Sequence, residues 1–115
     1  MKQVELPIIQ KTFDTIKWLI PKIEKFPRTQ KFVLGDRIEV AFLDFLQMLT
    51  LASKRKQKID ILEEADAKLF EIRYLIRLTV DMKYISVKQY EYIAENITEL
   101  GAMLGGWIKQ VKGKK

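Results

Sequence analysis

The chain has 115 residues, 48% of them apolar, which is the size and composition of one domain with its own hydrophobic core. Cysteine and histidine are both absent, which excludes disulfides, thiolate metal sites and the commonest general base. No apolar run approaches the roughly 18 residues of a membrane span, and the N-terminus lacks the pattern of a signal peptide. We therefore expect a cytoplasmic protein with one domain over residues 1–115 and a frayed basic tail at about 111–115.

The net charge of +6 is distributed unevenly along the chain. Basic residues cluster at 22–31, at 109–115, and between them at Lys54, Arg55, Lys56 and Lys58. Such clusters suit a phosphate backbone or an acidic partner. Lysines that only keep the surface soluble explain the same pattern, so charge alone leaves both interpretations open.

The first predicted element is an amphipathic helix with a kink. Its apolar residues recur at three- and four-residue steps, the spacing of one helical face; they are Leu6, Ile9, Phe13, Ile16, Ile20 and Ile23. Pro21 has no backbone N–H to donate, which predicts the kink at about 17–21. The helix should end at 26–28, because a residue that precedes proline disfavours the α conformation.

The second predicted helix, from about Thr29 to Arg55, has two apolar faces. The inward face consists of Phe32, Ile38, Phe42, Phe45, Leu49 and Ala52. A further set lies around the cylinder from it and consists of Val33, Val40, Leu43 and Leu51. One core needs only one apolar face, so the second set predicts contact with another subunit.

Two more helices complete an all-α chain. The third should span about Ile59 to Tyr84, with an inward face of Leu62, Ala65, Leu69, Ile72, Ile76 and Thr79. The fourth should open with a capping box at 86–89 and run to about Gln110, with Tyr90, Ile93, Ile97, Leu100, Leu104 and Val111 on one face. Four helices joined by short links predict an antiparallel up-down four-helix bundle.

The sequence carries no pattern of a catalytic, metal or cofactor site. Glu63, Glu64 and Asp66 are the densest carboxylates, but a di-iron bundle also needs inward histidines, and acids in a first helical turn favour the helix dipole. Walker loops, nucleophile elbows and dinucleotide fingerprints are missing. We predict a protein that is not an enzyme and has no cofactor.

Two groups of charged residues are candidates for binding. Arg73 and Arg77 are one turn apart and share a helical face, where planar guanidinium groups suit phosphates or carboxylates. Surface salt bridges, such as Arg77 with Asp81, are the alternative. For Asp36 and Arg37 a surface or inter-helix salt bridge is the alternative to a functional role. A glycine inside a helix, such as Gly35, indicates close backbone approach.

Several stretches resemble the accessory variability determinant (Avd) proteins of diversity-generating retroelements. The strongest is 26–39, Phe-Pro-Arg-Thr-Gln-Lys-Phe-Val-Leu-Gly-Asp-Arg-Ile-Glu, which is similar to the hallmark segment of that family. Residues 18–25, 73–78, 89–91 and 101–107 are similar to its first, third and closing helices. The resemblance covers about residues 8–110.

The resemblance implies a homo-pentameric ring with a basic surface. Avd proteins bind the reverse transcriptase of the element and nucleic acid, and they support mutagenic retrohoming of a variable gene. As candidate binding residues we take Arg73, Arg77, Lys54, Arg55, Lys56 and Lys58, and as a structural motif Gly35, Asp36 and Arg37. Binding to RNA or DNA should be independent of sequence, because most aromatic residues fall on core faces and offer bases no stacking surface.

A sister family is the alternative. Ribosomal intervening-sequence proteins share the bundle and the ring, which would make this chain a structural oligomer without a retroelement role. That family carries a Gln-Ile-x-Arg-Ala-Ala-like stretch where residues 36–41 here are Asp-Arg-Ile-Glu-Val-Ala. The difference favours the retroelement family.

Overall fold

The computed structural model describes the chain from residue 5 to residue 113, and in this range it contains four long helices and no strand. Helix α1 is Glu5–Ile23, α3 is Ile59–Asp81 and α4 is Val87–Gly113. Helix α2 is built from three consecutive pieces: Arg28–Gln30, a π-helical turn Lys31–Gly35, and Asp36–Lys54. The predicted all-α architecture of four helices is confirmed.

The four helices form one elongated bundle of 49 × 23 × 20 Å. Both α1 and α3 pack against α2 and α4. The link after α1 meets the link after α3, where the rings of Phe26 and Tyr84 lie 5.5 Å apart. Lys112, near the end of α4, pairs with Glu63, near the start of α3, at 3.4 Å. One end of the bundle therefore holds the first and third links, and the other holds the second link and the end of α4.

The core faces of α3 and α4 follow the predicted period. All six residues predicted to face inward on α3 are buried. On α4 the predicted residues from Ile93 to Leu104 are buried, while Tyr90 and Val111 are partly buried. Trp107 is also buried, although the prediction omitted it. It follows Leu104 by three residues, so the same period identifies it once the helix is continued through Gly105 and Gly106.

The predicted core face of α1 is wrong at two positions, and the side chain of its first residue, Leu6, lies outside the described part of the chain. Phe13 and Ile20 are 49% and 39% exposed. The core takes in Ile8 and Leu19 instead, together with two threonines, Thr12 and Thr15. Their hydroxyls donate to the carbonyls of Ile8 and Lys11, four residues earlier, at 2.8 and 2.7 Å. Each hydroxyl is thus satisfied inside the helix, so a residue that counts as polar can lie in the core.

On α2, Phe32 was predicted to be buried and is 62% exposed, whereas the other five predicted residues are buried. Phe32 lies within the π-helical turn Lys31–Gly35. A π turn holds more residues than an α turn, so the side chains before it are rotated relative to the α-helical period of the rest of the helix. The extrapolation from Ile38 back to Phe32 fails for this reason.

The helix ends differ from the predictions by a few residues. Helix α1 ends at Ile23, two residues after Pro21, and the predicted kink near Pro21 stays a prediction. Helix α4 continues through Gly113, so residues 111–113 of the predicted frayed tail are helical, and 114–115 lie outside the described range.

The link from α3 to α4 is held by backbone and side-chain caps. Helix α3 ends at Asp81, and Lys83 has a left-handed φ of 65°. The amides of Lys83 and Tyr84 donate to the carbonyls of Val80 and Thr79 at 3.0 and 2.8 Å, the pattern of a Schellman motif. The predicted capping box is confirmed, because the Gln89 amide donates to the Ser86 hydroxyl at 3.0 Å and the Ser86 amide to the Gln89 side chain at 2.9 Å.

Candidate nucleic-acid and partner interface

The link between α2 and α3 presents three exposed cations. Lys54, Arg55 and Lys56 are exposed, and no carboxylate of the described chain is within ion-pair distance of them. Lys58 has a structural role instead: its ammonium donates to the Ala52 carbonyl at 2.6 Å and to the Arg55 carbonyl. These carbonyls end α2, where a cation also complements the helix dipole. Three of the four predicted link residues are therefore available to an anionic partner.

The third basic cluster lies at the same end of the bundle as this link. The ion pair between Lys112 and Glu63 joins the end of α4 to the start of α3, and Lys109 is exposed one turn before. The first turns of α3 carry several acids, which reduce the net positive charge of this end.

The opposite end is also basic, and it gathers residues that are distant in sequence. Lys25 and Arg28 are exposed beside the first link, and Lys83 and Lys88 are exposed beside the third. The contact between Phe26 and Tyr84 brings the two links together. The sequence predicted only the 22–31 part of this cluster. Lys83 and Lys88 were missed, because only the tertiary contact makes them its neighbours.

Arg73 and Arg77 have different neighbours. A Cβ placed on Gly101 of α4 would lie 2.5 Å from a guanidinium nitrogen of Arg73, so the Arg73 side chain crosses to α4 above this glycine. The Arg77 guanidinium lies 3.5 Å from the carboxylate of Asp81, one turn later. The salt bridge considered for Arg77 is thus present, and the two arginines do not share one set of contacts.

The motif Gly35, Asp36 and Arg37 connects three helices. Gly35 is buried, and a Cβ there would lie 2.7 Å from Ile23 Cγ2 of α1. The Arg37 guanidinium lies 3.7 Å from Glu71 of α3, so the predicted salt bridge between helices is present. Burial, followed by repulsion from Asp36 and Glu24, raises the pKa of the Glu39 carboxyl in the next turn. These contacts support a structural role for the motif.

An apolar groove of about 730 Å³ lies between the first half of α2 and the second half of α3. Its apolar wall includes Val33, Val40, Leu75, Leu78 and Met82. The second apolar set predicted on α2 is indeed exposed. Helix α3 adds a stripe that the prediction missed, formed by Phe70, Tyr74, Leu78 and Met82. Their four-residue spacing was the available signal.

Most aromatic residues lie in or against the core, as expected, since seven of the twelve are buried or packed against it. Five of the twelve are exposed: Phe13, Phe32, Phe70, Tyr74 and Tyr92. In addition, Trp18 of α1 and Tyr92 of α4 pack with their ring centroids 4.7 Å apart. The exposed aromatic residues can therefore offer bases a stacking surface, which was not expected from the sequence.

Within the described range, no cluster of acidic side chains is arranged to hold a metal ion, and no helix is both long and apolar enough to cross a membrane.

Comparison with known proteins gives one family and one fold. A family model described as bAvd-like matches residues 6–111. Among solved structures, a protein of unknown function from the S23 ribosomal protein family of Bacteroides thetaiotaomicron VPI-5482 superposes with a TM-score of 0.84. The two sequences are 20% identical, and the match covers 93% of this chain and 99% of that one, so the likeness shows the fold alone. No curated protein matches the chain.

Proposed function

This chain belongs to the bAvd-like family, and from that premise we propose that it is a non-catalytic accessory protein of a diversity-generating retroelement. In this role it binds the reverse transcriptase of the element and nucleic acid, and so supports mutagenic retrohoming in the cytoplasm. The resemblance of residues 26–39 to the Avd hallmark supports the retroelement assignment.

The observation that carries the nucleic-acid part is the link between α2 and α3. Lys54, Arg55 and Lys56 are exposed there, and no carboxylate of the described chain pairs with them. Each cation that meets a phosphate releases condensed counterions, which favours binding at low salt. Contacts of this kind carry no base information, so binding to RNA or DNA is independent of sequence.

The proposal includes an antiparallel up-down arrangement of the helices and assembly into a homo-pentameric ring. The exposed apolar groove between α2 and α3 supports assembly, because monomeric proteins rarely leave a large apolar surface exposed to water. A ring repeats each basic link around its axis. Several phosphates of one strand are then engaged at once, and binding exceeds that of a single chain.

A second candidate, of the ribosomal intervening-sequence type, is a structural oligomer without a retroelement role. It is favoured by the number of cations that already have partners within the bundle. Those with such partners are Lys11, Lys31, Arg37, Lys58, Lys68, Arg77 and Lys112. On this interpretation the remaining positive charge serves solubility.

Two double charge reversals of equal net charge test the proposal. Arg55→Glu with Lys56→Glu removes unpaired cations, whereas Arg73→Glu with Arg77→Glu removes guanidinium groups that contact Gly101 and Asp81. Fluorescence anisotropy with labelled DNA and RNA should show wild-type affinity falling steeply between about 50 and 200 mM salt. The link variant should lose at least about tenfold more affinity than the Arg73 and Arg77 variant, because it loses phosphate contacts. Its affinity should also fall less steeply with salt, since each lost phosphate contact lowers the salt dependence.

A search of the neighbouring genes for a reverse transcriptase, followed by a pull-down with that enzyme, tests the other partner. Capture of that enzyme by the wild type supports the accessory role. If neither oligonucleotide nor enzyme is bound at low salt, the structural candidate is correct. If the link variant binds nucleic acid as tightly as the wild type, the link is not the contact.

A further inference from the structure

We propose that Trp18 and Tyr92, together with Lys22 and Lys88, form a platform on which unpaired bases stack, so that the preferred ligand is single-stranded nucleic acid. This inference rests on the proposed function, because it names the form of nucleic acid and a second place where it binds. It concerns the face between α1 and α4, away from the basic link of residues 54–58.

The two rings form a compact surface near one end of the bundle. Trp18 lies in the last two turns of α1 and Tyr92 in the second turn of α4, with centroids 4.7 Å apart and ring planes inclined by 42°. Tyr92 is 48% exposed and Trp18 is half-buried. Trp18 therefore packs against the Tyr92 ring, and about half of the Tyr92 side chain remains exposed to solvent. A rigid, supported ring of this kind loses little conformational freedom when a base stacks on it.

Two lysines lie on the side of the rings that faces the basic end. The Lys22 ammonium lies over the Trp18 ring, 4.5 Å from its centroid, so it covers one face of that ring and leaves Tyr92 as the ring open to a base. No carboxylate of the described chain is within ion-pair distance of Lys22. Lys88 is exposed one turn before Tyr92. A base on the aromatic surface would place its phosphate within reach of these flexible side chains, and Lys25 continues the positive charge beyond them.

Three acids near this face lie on the other side of the ring pair from the lysines, whereas the exposed Glu91 directly precedes Tyr92. Asp14 is one turn before Trp18, and Glu95 and Glu99 follow Tyr92 along α4. Glu99 already pairs with Lys11 at 2.6 Å. The charge therefore changes sign across the rings, which orients a bound strand with its phosphates toward the basic end.

The other exposed aromatic pair lacks this arrangement. Phe70 and Tyr74 lie 5.4 Å apart, edge to face, and continue into the aliphatic Leu78 and Met82. The nearby Arg77 is paired with Asp81. Arg73, one turn after Phe70, has no carboxylate of the described chain within ion-pair distance, but its guanidinium lies at Gly101 of α4. A ring pair that continues into an aliphatic stripe suits a protein surface, whereas rings beside lysines without carboxylate partners suit an unstacked base and its phosphate.

The preference for single strands over duplexes follows from base stacking. Bases inside a duplex are stacked on their neighbours and present no face to a side chain, whereas unpaired bases can be splayed out onto aromatic rings. The platform therefore distinguishes single strands from duplexes without reading their sequence.

The test compares three ligands of equal length and charge per strand: oligo-dT, an abasic oligonucleotide, and duplex DNA. Tyr92→Ala should weaken oligo-dT binding by about five- to hundredfold, the range expected for one lost base–aromatic stack, and leave abasic binding unchanged. The Tyr92→Phe variant should bind oligo-dT as tightly as the wild type, because phenylalanine keeps the ring. Tyr74→Ala is the matched control, because Tyr74 is a more exposed tyrosine, at 63%, on the other aromatic pair.

Circular dichroism checks that each variant is folded, and tryptophan fluorescence of the wild type gives an independent measurement. Trp107 is buried, so quenching by oligo-dT but not by the abasic strand should arise from Trp18. Equal wild-type affinity for oligo-dT and the abasic strand, without selective quenching, overturns the platform and leaves the proposed phosphate binding intact. Failure of all three ligands to bind overturns both.

Discussion

Gly35 and Gly105 both lie inside helices, but their surroundings have opposite consequences for a methyl group. At Gly35 a Cβ would lie 2.7 Å from Ile23 Cγ2, a branched side chain that is itself buried. At Gly105 no heavy atom of the described chain, apart from the adjacent residues and the neighbouring backbone of α4, lies within 4 Å of such a Cβ. Gly35 thus permits the close approach of α1 and α2, whereas no contact within the described chain requires a glycine at 105.

We predict that Gly35→Ala destabilises the protein and that Gly105→Ala stabilises it. Overpacking a core costs about 1–3 kcal/mol, which exceeds the gain of up to about 1 kcal/mol in helix propensity that alanine brings at either position. Thermal unfolding should show Tm falling for the first variant and rising by a few degrees for the second. The Gly35→Leu variant should be destabilised further, because leucine is larger than alanine and overlaps more with Ile23. If Tm is unchanged in both the Gly35→Leu and the Gly35→Ala variants, the packing of α1 against α2 does not require a glycine at residue 35.

Lys83 has a conformation that suits glycine better. Its φ of 65° is the left-handed conformation at the end of α3, which costs a residue with a Cβ roughly 1–2 kcal/mol. Lys83→Gly should therefore raise the free energy of unfolding by about 0.5–1 kcal/mol, less than the full conformational cost because glycine also gains entropy in the unfolded chain. Urea denaturation measures this change. Lys83→Ala is the control and should bring no such gain, since alanine keeps the Cβ.

At the scale of whole elements, a helix face can be predicted from the sequence where apolar character and burial coincide. They coincide on α3, and every predicted core position there is buried. They diverge on α1, because Thr12 and Thr15 satisfy their hydroxyls within the helix and enter the core. They diverge again at Phe32, where a π turn interrupts the helical period. Neither effect can be derived from a pattern of apolar residues.

The candidate site was partly predictable for a similar reason. The link of residues 54–58 is contiguous, and its charge is visible in the sequence. The same sequence does not show that Lys58 is occupied with the carbonyls that end α2. Nor does it show that Lys88 joins the cluster of residues 22–31, which depends on two links meeting in space.

The start of α4 depends on its capping box. We predict that Ser86→Ala lowers the free energy of unfolding by about 1 kcal/mol, because the amide of Gln89 loses its acceptor. The control is Ser53→Ala, whose hydroxyl donates to the Thr50 carbonyl inside α2 and should matter by less than about 0.5 kcal/mol. Equal effects of the two substitutions in chemical denaturation would show that the box contributes nothing beyond a surface hydroxyl.

At the scale of the molecule, the apolar groove between α2 and α3 predicts assembly. Light scattering after gel filtration should give a mass of about five times that of the 13.6 kDa chain. Val40→Glu places a charge in the groove and should dissociate the assembly while helicity is retained. Val87→Glu is the matched control, because Val87 is also an exposed valine and lies in the first turn of α4, where an acid is favourable.

The outcomes separate the possible assemblies. A wild-type monomer at micromolar concentration would remove both the ring and the multivalent binding that depends on it. If Val40→Glu keeps the full mass, subunits meet through a different face, and the groove is left for the reverse transcriptase.

The π-helical turn Lys31–Gly35 has a consequence for how such proteins diverge. An α-helix advances by about 100° per residue, so the loss of one codon in this turn would rotate Arg28 and the residues beside it by about that angle. The helix from Asp36 onward would keep its register with the core. Gln30 and Val33, at the edge of the groove, would then be replaced by different side chains in a single genetic step. A change of length here is thus a short evolutionary path to a new partner.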